Sequence, residues 1–186
     1  MSDVISITAP MSDETVAKLK AGDQVLITGV VYTARDTAHK RLVDSMDKGE
    51  ALPFDMKGQV IYYVGPSPAK PGQVIGSAGP TTSYRMDLYS ERLMEIGMKG
   101  MIGKGMRDKK VVDAMKKHKC VYFAAIGGAA ALIARSIKAA EVIAYDDLGP
   151  EAIRRLEVVN FKAVVINDIY GNDLYEIGKA KYKVAK

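Results

Sequence analysis

Residues 98–126 read MKGMIGKGMRDKKVVDAMKKHKCVYFAAI. Met98–Gly103 is a short apolar run that reads as a strand, Asp108–Lys117 reads as a helix, and Cys120–Ile126 reads as a buried strand. Gly127-Gly128 then opens an Ala-rich helix to about Lys138, Glu141–Tyr145 is a further strand pattern, and Lys162–Ile166 is the last clear one. Pro150 suits the first turn of a short helix, where a missing N–H costs nothing. Strand and helix in alternation predict an α/β sandwich with a partly parallel sheet.

Toward the N-terminus the pattern carries more strand. Gln24–Thr33 (QVLITGVVYT) is rich in β-branched residues and predicts a strand, or a bent pair of strands with Gly29 at the bend. Asp36 or Thr37 can cap a helix through about Lys48, stopped by Gly49. Gln59–Val64 is another strand, followed by a turn-rich loop from Gly65 to Gly72. The run Val74–Gly79 leads into Gly79-Pro80-Thr81-Thr82-Ser83, and a helix is predicted from about Tyr84 to Ile96. The excess of strand points to a mixed, layered α/β architecture rather than a plain doubly wound one. No linker divides the chain, so residues 1–186 are expected to form one domain.

Composition narrows the function. Apolar residues make up 48% of the chain and charged residues 26%, enough to build a core without staples. No run approaches the roughly 20 apolar residues that cross a bilayer. Met1–Pro10 carries Asp3 and no basic leader, which argues against a secretory signal, and the chain reads as cytoplasmic. The single cysteine, Cys120, excludes an internal disulfide. With only His39 and His118 beside it, it cannot supply the four thiolates of an iron-sulfur site or the ligand set of a zinc site. Any metal in the chemistry is therefore expected on another chain. The net charge is +5, but Lys and Arg are spread from Lys18 to Lys186 and Trp is absent. That spread reads as a mildly basic, solvated surface rather than a nucleic-acid interface. It would also suit a small anionic substrate.

Three polar constellations fall where a strand passes into a loop or helix. In Thr33-Ala34-Arg35-Asp36-Thr37-Ala38-His39, the arginine can grip a carboxylate through two parallel bonds. Asp36 and His39, three apart, would share a helix face, where a carboxylate can tune an imidazole for proton transfer. Alternatively Asp36 is only a cap and His39 a packing residue. In Gly79-Pro80-Thr81-Thr82-Ser83-Tyr84-Arg85-Met86-Asp87, hydroxyls and N–H groups at a helix start can receive an anion, with Arg85 closing over it. A plain hydroxyl cap with Arg85 paired to Asp87 is the other reading. Gly103-Lys104-Gly105 presents an ammonium where backbone can approach closely, or is simply a turn with a solvated lysine. His118, at a Lys-rich helix end, reads as a favourable C-terminal cation, and Cys120 as a small buried residue.

The chain resembles the C-terminal domain, or separate beta subunit, of the class I fumarase and tartrate dehydratase family. The stretches that carry the resemblance are TARDTAHKR at 33–41, GPTTSYRMD at 79–87, GKG at 103–105, AAIGGAAALIA at 124–134 and LGPEAI at 148–153. They lie in order and cover nearly the whole chain; the first two are specific. The resemblance implies a layered, swivelling β/β/α domain. It implies a hydro-lyase that hydrates fumarate to malate reversibly, with a 4Fe-4S cluster held by a larger alpha subunit and not by this chain. A chain opening on its own Met suits the two-subunit form, a hetero-oligomer inactive without its partner.

By the same resemblance Arg35, Thr81, Arg85 and Lys104 bind the dicarboxylate, and Thr81 or His39 is the acid/base group. Asp36, Thr82 and Asp87 are supporting residues. A hydroxyl is a poor base unless its neighbours activate it. Tartrate dehydratase beta subunit is the alternative within the family. A non-catalytic organic-acid-binding module and a basic nucleic-acid-binding protein are the alternatives outside it.

Overall fold

The computed structural model describes residues 4–126 and 128–183. The chain runs β1 (Ile5–Ala9), α1 (Asp13–Lys18), β2 (Gln24–Thr33), α2 (Asp36–Asp47), β3 (Val60–Tyr62), α3 (Asp87–Glu95), β4 (Gly100–Gly103), α4 (Lys109–His118), β5 (Val121–Ala124), α5 (Ala130–Ser136), β6 (Ile137–Ala144), β7 (Ile153–Asn167) and α6 (Leu174–Tyr182). One 3-10 segment, Ser83–Met86, leads into α3, and another, Asp146–Glu151, precedes β7.

Among the described residues the seven strands form one mixed sheet. β1 lies parallel to β2, and β2, β3, β4 and β5 pair in that order, all parallel. β7 runs antiparallel to β2, β5 and β6. The pairings β2–β3–β4–β5–β7–β2 thus return to their starting strand, so the sheet folds over on itself.

Alternation along the strands gives the closed sheet two different faces. Val60, Tyr62 and Val64 join Val25, Ile27, Val31, Ile102, Phe123, Leu156 and Phe161 in a core built largely from strands. Ile61, Tyr63, Met101 and Tyr122 point the other way, onto Leu42 of α2, Leu93 of α3 and Val111 and Met115 of α4. The result is a β/β/α layering with the mixed sheet expected.

The elements differ from the sequence reading at several boundaries. The N-cap of α2 is Arg35, without a side-chain capping bond, so neither Asp36 nor Thr37 caps it. The helix expected from Tyr84 begins as a 3-10 turn and becomes α-helical at Asp87. Pro150 follows a kink at Gly149 and opens a second 3-10 turn, closed by Ala152 N on the Gly149 carbonyl at 3.1 Å. The expected helix start at Gly127 lies outside the described residues, and α5 opens at Ala130. β7 spans 15 residues where only Lys162–Ile166 was legible. β2 is one strand over Gln24–Thr33 with Gly29 at φ 116; the register shift between Ile27 and Gly29 comes from an extra residue on β7.

Candidate functional site at the strand ends

β2, β3, β4 and β5 are parallel, so Thr33, Tyr62, Gly103 and Ala124 all finish at one edge of the sheet. Loops beyond the carboxyl ends of parallel strands are where open α/β sheets receive ligands. Arg35 follows β2 directly. The Thr81–Arg85 segment is laced to the ends of β3 and β4 by backbone bonds. Thr81 N donates to the Tyr63 carbonyl at 2.6 Å, Lys104 N to the Thr81 carbonyl at 3.3 Å, and Ser83 N to the Lys104 carbonyl at 2.9 Å. Thr82 is bridged to Lys104 in the same lacing. Gly103 permits this approach, because a Cβ there would stand 2.0 Å from Ser83 Oγ. Three motifs far apart in sequence therefore meet on one edge.

Charge joins them further. Asp36 lies between two arginines: Oδ1 is 3.6 Å from Arg35 Nε and Oδ2 is 3.6 Å from Arg85 Nη1. Glu151 binds the other side of the Arg35 guanidinium, Oε1 to Nη2 at 3.0 Å. Both 3.6 Å contacts are too long for hydrogen bonds, and Arg35 Nε and Asp36 Oδ1 are sheltered from solvent without a partner. Lys104 is exposed on the segment bridged to Thr82. The arrangement offers two guanidinium groups and one ammonium to an anion, with hydroxyls of Thr81 and Thr82 on the connecting backbone.

One of the two readings of Arg85 is removed. Asp87 does not pair with Arg85; it binds Arg107, Oδ1 accepting from Nε at 2.7 Å, while Oδ2 accepts the backbone N–H of Asp108 at 2.8 Å. The Arg107 side chain is fully buried, donates to Ser90 Oγ at 2.8 Å, and lies over the rings of Tyr63 and Tyr122. Burial opposes its charge, but Tyr63 and Asp87 outweigh that and raise its pKa above the usual arginine value. Arg107 supports the site from beneath, joining the starts of α3 and α4.

His39 is also fully buried, packed edge-on to Tyr63. Its Nδ1 donates to the Arg35 carbonyl at 2.8 Å, which leaves the lone pair on Nε2, a buried atom without a partner. Burial pushes its pKa down to about 4, against the pull of the Arg35 carbonyl. In this arrangement the imidazole is neutral near pH 7 and reaches the edge only through the backbone of Arg35.

Glu151 and Arg107 were missed in the sequence. Glu151 lies inside the LGPEAI stretch and Arg107 just after Gly103-Lys104-Gly105, each a single charged residue whose partner only tertiary contact reveals. Cys120 is buried and stands alone, so it does not fit a cluster held by several thiolates, and desolvation pushes its thiol up to about 12. One other group of potential metal ligands occurs among the described residues, Glu91, Glu95 and His118, within 4.8 Å of one another. Lys117 and Arg92 already lie 3.6 Å from those two carboxylates. Among the described residues no helix is long and apolar enough to cross a membrane.

Comparison with known proteins places the chain in a family. A family model described as Fumarase C-terminus matches residues 2–178. The chain is 39% identical over 176 residues to the class I, aerobic fumarate hydratase of Salmonella typhimurium, covering 92% of this chain and 30% of that protein. It is 41% identical over 164 residues to fumarate hydratase 2 of Leishmania major, covering 87% of this chain and 29% of that protein. It is 38% identical over 180 residues to a Methanocaldococcus jannaschii protein assigned by name to L(+)-tartrate dehydratase subunit beta, covering 93% and 92% of the two chains. The chain thus spans under a third of the two fumarate hydratases and nearly all of the beta subunit. Relatives of both kinds are hydro-lyases, and the matched segment takes in every motif gathered at the strand ends. The chain belongs to the Fumarase C-terminus family.

Proposed function

We propose that this chain is the substrate-gripping beta subunit of an iron-sulfur hydro-lyase that interconverts fumarate and malate. The observation that carries this is the meeting of Arg35 and Arg85, from distant motifs, on either side of Asp36. Two guanidinium groups, with Lys104 on the segment bridged to Thr82, match a substrate carrying two carboxylates. Removing a proton from the carbon beside a carboxylate builds negative charge on that carboxylate, and cations already in place stabilise it without reorganising. Thr81, held by backbone bonds on both sides, is the group we assign to that proton. His39 holds the Arg35 carbonyl instead of meeting substrate.

A second chain is needed to complete the site. Cys120, single and buried, is unsuited to hold a cluster; by the family resemblance a 4Fe-4S group would be held by the alpha subunit, where it would supply the Lewis acid for the substrate hydroxyl. The edge bears apolar residues exposed beside each motif: Tyr84 and Leu88 flank Arg85, Met106 follows Lys104, and Ile126 follows β5. Leu88 is 86% exposed, a degree that suits a surface covered on assembly. The assembly is then a hetero-oligomer working on a soluble dicarboxylate, in the cytoplasm. Tartrate dehydratase activity is the second reading, favoured by the near full-length match to a beta subunit.

Replacing Arg35 or Arg85 by Ala tests the assignment in the assembled enzyme. Each is expected to lower kcat/KM at least about a hundredfold, the scale of a lost charge-assisted pair, while folding and assembly persist. Near-normal turnover by either variant would show that the grip lies elsewhere.

A further inference from the structure

The Asp146–Glu151 segment is braced more heavily than a surface turn requires. Arg41 of α2 binds Asp147 with both guanidinium nitrogens, at 2.8 and 2.5 Å. Arg154 donates to the carbonyls of Gly149, Pro150 and Ala152 at 3.0–3.2 Å. Thr33 Oγ1 donates to the Ala152 carbonyl at 3.2 Å and accepts from Arg154 N at 2.9 Å, fastening the end of the segment to the last residue of β2. The side chain held between these braces is Glu151. One of its oxygens takes Arg35 Nη2 at 3.0 Å, and the other accepts from Thr37 N at 3.4 Å. Opposite, Gly65 leaves a berth for the same guanidinium: a Cβ on it would stand 2.9 Å from Arg35 Nη1 and 3.3 Å from Cδ.

We propose that Glu151 is a positioning residue that aims the Arg35 guanidinium at the substrate carboxylate. The proposal rests on reading Arg35 as the carboxylate grip. An arginine has four side-chain torsions, and a site must hold its reacting groups within about half an ångström to be effective. Glu151 fixes one side of the fork, His39 fixes the backbone beneath it through the Arg35 carbonyl, and Gly65 makes room for the rest. An ordinary structural ion pair, here 22% and 21% exposed, would contribute to stability and nothing to substrate affinity. A positioning pair acts on KM.

Two measurements test this. In the assembled, cluster-loaded enzyme, Glu151→Gln is expected to raise KM for fumarate about tenfold, with kcat within about twofold and unchanged thermal stability. Glu151→Asp should restore part of the loss. Gly65→Ala, which leaves both charges in place but intrudes on the berth, should raise KM in the same sense. In the chain alone, the Arg35 Nη protons, assigned with Arg35→Lys, should give separate, slowly exchanging NMR signals that merge in Glu151→Gln. An unchanged KM in Glu151→Gln overturns the proposal, as do Arg35 signals indifferent to that substitution. If the wild-type assembly turns over neither fumarate nor tartrate, the catalytic reading falls, and with it the role claimed for Glu151. The NMR signals then show separately whether Glu151 orders Arg35.

Discussion

At the residue level, His39 makes the sharpest forecast. Its folded pKa of about 4 lies below the ordinary 6.5, so between those values the unfolded chain binds the extra proton. Stability from this group is complete above about pH 6.5 and is lost as pH falls toward 4, up to roughly 3 kcal/mol. Urea titrations across that range should show the slope, and His39→Asn should flatten it. A wild-type stability independent of pH between 6.5 and 4.5 would contradict the burial argument. Cys120 gives a second test. Its buried thiol should resist iodoacetamide at pH 8 in the folded chain and react once the chain is unfolded. Both sequence alternatives for His39, acid/base group and packing residue, were chemically sound. What the sequence could not display was depth, since Tyr63 and the Arg35 carbonyl that enclose the ring come from tertiary folding and the helix turn.

At the element level, the start of α4 shows how local and tertiary signals combine. Asp108 caps the helix by accepting from Lys110 N at 3.2 Å, as its position predicts, while its own N–H goes to Asp87 at the start of α3. Asp108→Ala should cost about 1 kcal/mol in a denaturation titration. Arg107→Met, which strands the Asp87 carboxylate, should cost more, about 3 kcal/mol. The larger loss identifies the buried ion pair as the joint between α3 and α4, and equal losses would refute that. Strands β4 and β5 were legible because each is a short apolar run ending in glycine or alanine. Most of β7 was not. Val158 and Phe161 both face the core, three residues apart, because Asn160 adopts φ 53 in a bulge opposite β2. That extra residue breaks the period of two on which strand recognition depends. β1, α1 and α6 are short, with too few apolar residues to mark them.

At the scale of the whole molecule, the same parallel order that made the fold readable also gathers the site. Arg35, Thr81, Arg85 and Lys104 were each weak signals until the ends of β2, β3 and β4 brought their segments to one edge. Of the ion pairs that arrange them, Asp36 with Arg35 joins neighbours, but Asp36 with Arg85 and Glu151 with Arg35 join distant segments and lie beyond any local pattern. The edge they form is open, cationic and rimmed with exposed apolar side chains. On the proposed function such a surface is half of a site. The most direct test is anaerobic hydration of fumarate, followed by its ultraviolet absorbance, with this chain alone and after mixing with a cluster-bearing alpha subunit. Turnover is expected only in the mixture. Turnover by the chain alone, or an assembled mixture that acts on neither fumarate nor tartrate, would contradict the account.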